Sequence, residues 1–178
     1  VVARLLVREG TSLRRLLDLK PFGRTVGWGL LAFVLLLVGF LIATFVGNLV
    51  VYQGPPPAGI STVNVPLWYG LWSIGVMPLT VAVAEESLYR GYLQPRLQAR
   101  FGRIAGVVLV ALLFSLQHVA FGLGSWEGLG ARLIATFLSG LLFGALYVWL
   151  KRLGPLVIAH WLLDVLGLGL PMLLAAVS

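Results

Sequence analysis

The stretch WGLLAFVLLLVGFLIATFVGNLVVY, residues 28–52, decides the fold because its 25 residues carry no charge. A helix needs roughly 20 such residues to cross the hydrocarbon core of a bilayer. Four more apolar runs of similar length follow it along the chain. We predict transmembrane helices at about residues 28–52, 67–93, 104–122, 131–150 and 155–177. The predicted fold class is all-α, a polytopic membrane helical bundle of about five helices in a single membrane domain, residues 1–178.

The composition supports this prediction and excludes several other classes of protein. Hydrophobic residues make up 60% of the 178 residues and charged residues only 11%, which is unusual for a soluble domain. The chain has no cysteine, so disulfide scaffolds, thiolate zinc sites and cysteine nucleophiles are excluded. The first twenty residues lack the pattern of a cleavable signal peptide. Because the chain begins with Val1, we expect further residues upstream.

The basic residues orient the predicted helices. They precede the first span and fill the connections after the second and fourth spans, whereas the other connections lack them, apart from Arg132 at the start of the fourth span. This alternation predicts a cytoplasmic N-terminus and explains the net charge of +7 without nucleic-acid binding. Residues 1–24 form a basic juxtamembrane segment, either an amphipathic helix on the inner leaflet or a solvated tail. Gly140 and Gly144 form a GxxxG pair, for which internal packing is favoured over dimerisation.

Six ionisable residues lie inside or at the ends of the predicted spans, where a charge is costly and is usually functional. They are Glu85, Glu86, Arg90, His118, His160 and Asp164. At a rise of about 1.5 Å per residue, Glu85 and His118 each lie roughly 22 Å along a helix from a cytoplasmic arginine. We therefore expect these two side chains to meet at the same depth.

The spacing along each helix assigns neighbours to the other ionisable residues. Glu86 and Arg90 are four residues apart and share one helical face. His160 and Asp164 share a face in the same way. Glu85 points about 100° away from Glu86. We predict that Glu86 neutralises Arg90 while Glu85 faces a different neighbour.

This set of side chains has the chemistry of hydrolysis. Three carboxylates and one arginine leave excess negative charge in a poorly hydrated place, so one of the acids is poised for proton transfer. A glutamate beside a histidine can hold and deprotonate water, and a second histidine can donate a hydrogen bond to a developing oxyanion. The sequence therefore predicts a hydrolase that forms no covalent enzyme intermediate.

Three motifs resemble the signatures of a known family. EESLYR at 85–90, FSLQH at 114–118 and HWLLD at 160–164 are similar to the EExxxR, FxxxH and HxxxN/D motifs of the CPBP family. That family, also called Abi, comprises the CAAX prenyl endopeptidases and bacteriocin-processing or immunity proteins. The resemblance covers residues 67–168, the predicted catalytic core. It implies an intramembrane glutamic endopeptidase.

The resemblance also implies roles for individual residues. Glu85 would be the general base with His118 as its partner, and His160 with Asp164 would form the oxyanion site. Glu86 and Arg90 would support the catalytic helix. The eukaryotic prenyl-protease branch has Asn at the position of Asp164, and an ionised carboxylate would repel an oxyanion. Asp164 is therefore either protonated or a residue that orients His160.

Several alternatives stay open at this stage. Two histidines with carboxylates can bind zinc, although we predict that no cofactor is needed. The expected partners are membrane lipid and a hydrophobic or lipidated peptide or protein substrate, in a bacterial plasma membrane. A non-catalytic immunity or interaction protein is the main alternative, followed by a proton-coupled transporter. For Phe114 ordinary packing is expected, and Tyr89 and Gln117 are open candidates for the cavity.

Overall fold

A computed structural model of the chain describes residues 4, 7–10, 12–57, 65–121 and 125–178. Its α-helices are α1 (Leu13–Leu17), α2 (Phe22–Tyr52), α3 (Leu67–Glu86), α4 (Gln94–Phe101), α5 (Arg103–Gln117), α6 (Trp126–Leu150), α7 (Gly154–Asp164) and α8 (Leu170–Val177). The described residues contain no β-strand, which confirms the all-α prediction. Gly122 and Gly124, expected to follow the third span, lie outside the described residues.

Four helices are long and apolar enough to cross a membrane. They are Phe22–Tyr52, Leu67–Phe101, Trp126–Leu150 and Gly154–Val177. The predicted third span corresponds to α5, a shorter apolar helix of 15 residues that continues into a 3₁₀ turn, His118–Phe121. A helical membrane bundle is therefore confirmed, whereas a fifth span and the cytoplasmic N-terminus remain predictions.

Two of the long helices change their winding directly after a motif carboxylate. A π-helix, Ser87–Leu93, follows Glu86 at the end of α3, and a second, Val165–Gly169, follows Asp164 at the end of α7. In a π-helix the hydrogen bonds span five residues instead of four, and such segments are rare and frequent at functional sites. The α-helical spacing used in the sequence analysis therefore does not extend beyond Glu86 or Asp164.

The chain divides into two compact units. The first unit consists of Val1–Val34, Gly59–Leu88 and Arg152–Ser178. In it, α7, the second π-helix and α8 pack along α3. A Cβ added at Gly169 would lie 2.7 Å from Ile74 Cα, and one added at Gly70 would lie 3.1 Å from Leu173 Cα. These close approaches hold the helix of the HWLLD motif against the helix that ends in Glu85 and Glu86.

Residues 12–25, which we call the anchored segment, are tied to the first unit by Arg152. The Arg152 guanidinium donates hydrogen bonds to the Asp18 carboxylate at 2.9 Å, to the Lys20 carbonyl at 2.7 Å and to the Thr25 hydroxyl at 2.8 Å. A Cβ added at Gly154 would lie 2.7 Å from the Leu17 carbonyl oxygen. The anchored segment therefore lies against the start of α7, and its two interpretations, an amphipathic helix on the leaflet or a solvated tail, both stay predictions.

The second unit consists of Leu35–Ala58 and Tyr89–Lys151. In this unit α5 packs against α6 through small residues. Gly140 faces Ala111, whose Cα would lie 3.1 Å from a Cβ added at Gly140, and Gly144 faces Val107. The GxxxG pair therefore packs internally, as predicted.

Candidate active site

The first unit brings together four of the six ionisable motif residues. Glu85 and Glu86 end α3, while His160 and Asp164 lie in the second half of α7. His160 is 6% exposed and Glu86 is fully buried. The imidazole of His160 lies at the centre of this cluster, because each of the three carboxylates lies near one or the other of its ring nitrogens.

Glu86 holds one of those nitrogens directly. His160 Nδ1 lies 2.8 Å from Glu86 Oε1, and we assign this contact as an N–H that donates to the carboxylate. Such a carboxylate–histidine hydrogen bond sets the tautomer and the orientation of the ring. The spacing along one helix predicted only Arg90 as the partner of Glu86, because such spacing does not reveal a contact with His160 on another helix.

The other ring nitrogen faces the remaining two carboxylates. His160 Nε2 lies 3.8 Å from Glu85 Oε2 and 3.6 Å from Asp164 Oδ2. Both distances exceed a hydrogen bond, but one oxygen atom of a water or a substrate can bond to both sides of such a gap. The Glu85 and Asp164 side chains are 20% and 15% exposed whereas that of Glu86 is fully buried, although the Asp164 Oδ2 atom that faces Nε2 is itself buried.

These contacts correct one prediction and confirm another. Glu85 and Glu86 were expected to face different neighbours, but both face the same imidazole, at opposite nitrogens. The angular separation of about 100° between neighbouring residues of α3 allows both contacts, because the two ring nitrogens lie on different edges of the imidazole. His160 and Asp164 share one face of α7, as their spacing predicted. Because Glu86 already holds Nδ1, Asp164 is not the residue that orients His160 through that nitrogen.

His118 belongs to the second unit, where it begins the 3₁₀ turn after α5. Its Nδ1 lies 2.8 Å from the Phe114 carbonyl oxygen, and a carbonyl only accepts, so Nδ1 carries the proton and donates. In the neutral ring the lone pair is therefore on Nε2. The Phe114 ring packs beside the imidazole, with centroids 5.0 Å apart. The partnership of His118 with Glu85 remains a prediction from the motifs.

Arg90 is fully buried in the second unit. Its guanidinium lies 4.5 Å from the Phe114 ring centroid and 4.6 Å from that of Phe143, and Nη2 lies 3.5 Å from the Gly140 carbonyl oxygen. A desolvated guanidinium near two aromatic faces gains cation–π attraction. Phe114 therefore contacts both Arg90 and His118, which is more than the ordinary packing that the sequence analysis expected.

Tyr89 and Gln117, whose role the sequence left open, bind each other. The Tyr89 hydroxyl donates to Gln117 Oε1 at 2.8 Å, and the Tyr89 ring makes an edge contact with Phe114 at 5.3 Å. Gln117 directly precedes His118 in the chain. The position of both residues inside the EESLYR and FSLQH motifs was the signal that pointed to them.

The donor set was also assessed as a metal site. Among the residues that the structure describes, no group of three or more His, Cys, Asp or Glu side chains is arranged to hold a metal ion. The prediction that no cofactor is needed still requires a chelation experiment.

The fold and the cluster define a class of protein. It is a helical membrane protein whose spans contain carboxylates around an imidazole, the groups of acid–base hydrolysis. Comparison with known proteins then identifies the family. Residues 66–166 match the family model described as type II CAAX prenyl endopeptidase Rce1-like. The match covers more than half of the chain and all three motifs, so this chain belongs to that family and is an integral membrane protease.

Searches of curated proteins and of solved structures found no match. The family match confirms the resemblance drawn from the three motifs.

The Tyr89–Gln117 contact leads to a prediction about catalysis. Tyr89→Phe removes only the hydroxyl that bonds to Gln117 next to His118. Loss of one neutral hydrogen bond changes a rate or equilibrium constant by about fivefold. We therefore expect kcat to fall by about that factor with KM unchanged. The measurement is steady-state cleavage of a peptide substrate. Tyr92→Phe, in which the ring beside Arg96 is kept, is the matched control and should match the wild type.

Proposed function

We propose that this protease hydrolyses a peptide bond of a hydrophobic or lipidated substrate at membrane depth, with a water molecule as the nucleophile and Glu85 as the general base. The observation that carries this proposal is the position of His160. Glu86 holds its Nδ1, so that Nε2 faces Glu85 and Asp164. Glu85, as the base, and His160, as a hydrogen-bond donor when its Nε2 also carries a proton, thus lie next to each other.

The proposed reaction has two steps. Glu85 accepts a proton from water while the water oxygen attacks the carbonyl carbon of the scissile bond. When Nε2 carries a proton, His160 donates a hydrogen bond to the oxyanion that forms, which lowers the barrier. The C–N bond then breaks, and Glu85 returns its proton to the departing amine, so that the enzyme ends in its starting state.

The other motif residues take supporting roles in this proposal. Glu86 positions His160, in the way that buried carboxylates orient catalytic imidazoles. Asp164 lies beside the same nitrogen of His160 as Glu85 and shares the oxyanion site in its protonated form, because an ionised carboxylate would repel the oxyanion. As the motifs imply, His118 helps Glu85 to activate water, and Arg90 stabilises the ring of Phe114 against which His118 packs.

The apolar surroundings of the site support the substrate class. The cluster belongs to helices that cross the membrane by length and composition. α3 exposes large apolar side chains such as Val76 and Leu79, which are 57% and 49% exposed. A substrate that approaches through lipid needs an apolar segment or an attached lipid. The composition, rich in Ala, Gly, Arg and Leu, supports a bacterial plasma membrane as the location.

The function is tested by direct cleavage. The purified protein in detergent is incubated with a mixed library of hydrophobic and farnesylated peptides, with and without a chelator, and products are identified by mass spectrometry. Cleavage that the chelator leaves unchanged supports the proposed mechanism. Cleavage that the chelator abolishes replaces it with a metal-dependent one. If no peptide of the library is cleaved, a non-catalytic immunity or interaction protein becomes the favoured function.

A further inference from the structure

A cationic surface lies at one end of the first unit, around the anchored segment. Four basic side chains are exposed there: Arg14, Arg15, Lys20 and Arg24. Within residues 12–25 the only acid is Asp18, and its carboxylate already accepts a hydrogen bond from Arg152. The exposed charge of this surface is therefore positive.

The anchored segment is amphipathic in the structure. Leu13, Leu16 and Leu17 of α1 are half-buried, whereas Arg14 and Arg15 between them are exposed. Ser12 begins the helix by accepting a hydrogen bond from the Arg15 backbone N–H. α1 therefore packs its leucines onto the unit and presents its arginines outward.

Apolar side chains are exposed beside these cations. Leu19 is 43% exposed and Phe22 is 69% exposed. Phe22 is also the first residue of the membrane-spanning helix α2, so this surface lies at the level where a spanning helix meets the headgroups. Cations together with exposed apolar side chains at that level are characteristic of surfaces that bind anionic lipid.

Arg152 fixes the surface to the helix that carries His160. Its hydrogen bonds reach the carbonyl oxygens of Asp18 and Lys20 as well as the Asp18 carboxylate. Arg152 lies two residues before Gly154, the first residue of α7. The anchored segment is thus positioned by contacts with its backbone, which leaves its basic side chains available to a ligand.

We propose that the surface formed by residues 12–25 binds the anionic headgroups of the adjacent lipid leaflet. The exposed cations supply the charge complementarity, at about fivefold in affinity per basic residue. Leu19 and Phe22 enter the boundary between headgroups and acyl chains. This inference is independent of the proposed catalytic mechanism, because none of these residues belongs to the motif cluster.

The test compares variants of the full chain. The first, Arg14→Gln, Arg15→Gln and Arg24→Gln, removes three exposed cations of the surface, and Arg24→Gln alone removes one of them. The matched control for the single change is Arg132→Gln, which removes an exposed cation of the second unit that the charge pattern of the sequence does not place with the N-terminal basic residues. Each protein is placed in mixed micelles of a neutral detergent with phosphatidylglycerol and phosphatidylcholine of identical acyl chains. Native mass spectrometry counts the bound lipids.

We expect the wild type to bind phosphatidylglycerol in preference to phosphatidylcholine. In the first variant the ratio of the two bound lipids should fall at least about tenfold. The control should lose at most about twofold, and added sodium chloride should weaken binding in the wild type. An equal loss in Arg24→Gln and Arg132→Gln would overturn the proposal, since any basic residue would then serve. Displacement of the lipid by inorganic phosphate, but not by sodium chloride at the same ionic strength, would also overturn the proposal.

A charge-conserving variant keeps the test decisive if the first variant does not fold. Arg14→Lys, Arg15→Lys and Arg24→Lys retain the charge, and they leave the backbone carbonyls that Arg152 binds. This variant should keep the preference for phosphatidylglycerol within about twofold, because a lysine contributes about as much as an arginine near the surface. A complete loss of preference would show that arginine-specific contacts, and not charge complementarity, bind the lipid.

Discussion

Replacing Glu85 by Gln is expected to abolish measurable peptide hydrolysis, with a loss in kcat of about 10²–10⁴-fold. The amide keeps the size and polarity of the side chain but cannot accept the proton of the attacking water. The Glu85 side chain is 20% exposed, and Gln fills the same space. The fold should therefore survive, and thermal unfolding in detergent should resemble that of the wild type.

The matched control is Glu127→Gln. Glu127 is exposed in the first turn of α6, so this variant makes the same chemical change away from the site and should cleave at the wild-type rate. Substantial hydrolysis by the Glu85 variant would rule out Glu85 as the base. The search for a base would then turn to Asp164, the other carboxylate beside His160 Nε2.

Replacing Glu86 by Gln is expected to affect stability as well as activity. Glu86 is fully buried and its carboxylate accepts the hydrogen bond of His160 Nδ1 at 2.8 Å. A buried hydrogen bond to a charged group contributes about 2–3 kcal/mol, and we expect the free energy of unfolding to fall by about that amount. Because the amide orients the imidazole less strongly, kcat should fall at least about tenfold.

The two glutamates thus provide a paired experiment. Unfolding of both variants is followed by circular dichroism during titration with a denaturing detergent. The Glu86 variant should unfold earlier than the wild type, and the Glu85 variant should not. If both variants unfold together with the wild type, the Glu86–His160 hydrogen bond does not support the structure as proposed. If both are equally destabilised, the division of roles between the two neighbours is wrong.

Much of the fold could be predicted from the sequence because membrane-spanning helices are specified by length and apolar composition. The run at residues 28–52 lies within α2, and the interruption at Gly102 separates α4 from α5, where its φ of +88° suits glycine. The third span was the weakest prediction, since α5 ends at Gln117. An apolar run does not reveal where an α-helix tightens into a 3₁₀ turn.

The site was predicted less completely than the fold. The motifs selected the four residues that gather in the first unit, and the spacing of His160 and Asp164 gave their common face correctly. The Glu86–His160 hydrogen bond joins residues 74 positions apart in the chain. Periodicity on one helix cannot reveal such a contact. The bond between Tyr89 and Gln117 was missed for the same reason.

The π-helix Val165–Gly169 lies between two contacts that one helix makes with α3. Before it, His160 must reach Glu86, and at its end Gly169 must lie against Ile74. In an uninterrupted α-helix, fixing the direction of one residue fixes that of the other. A wider turn between them lets each meet its own partner on α3. A shortening of residues 165–169 by one would therefore rotate one part of the helix against the other and misdirect His160, Gly169 or both.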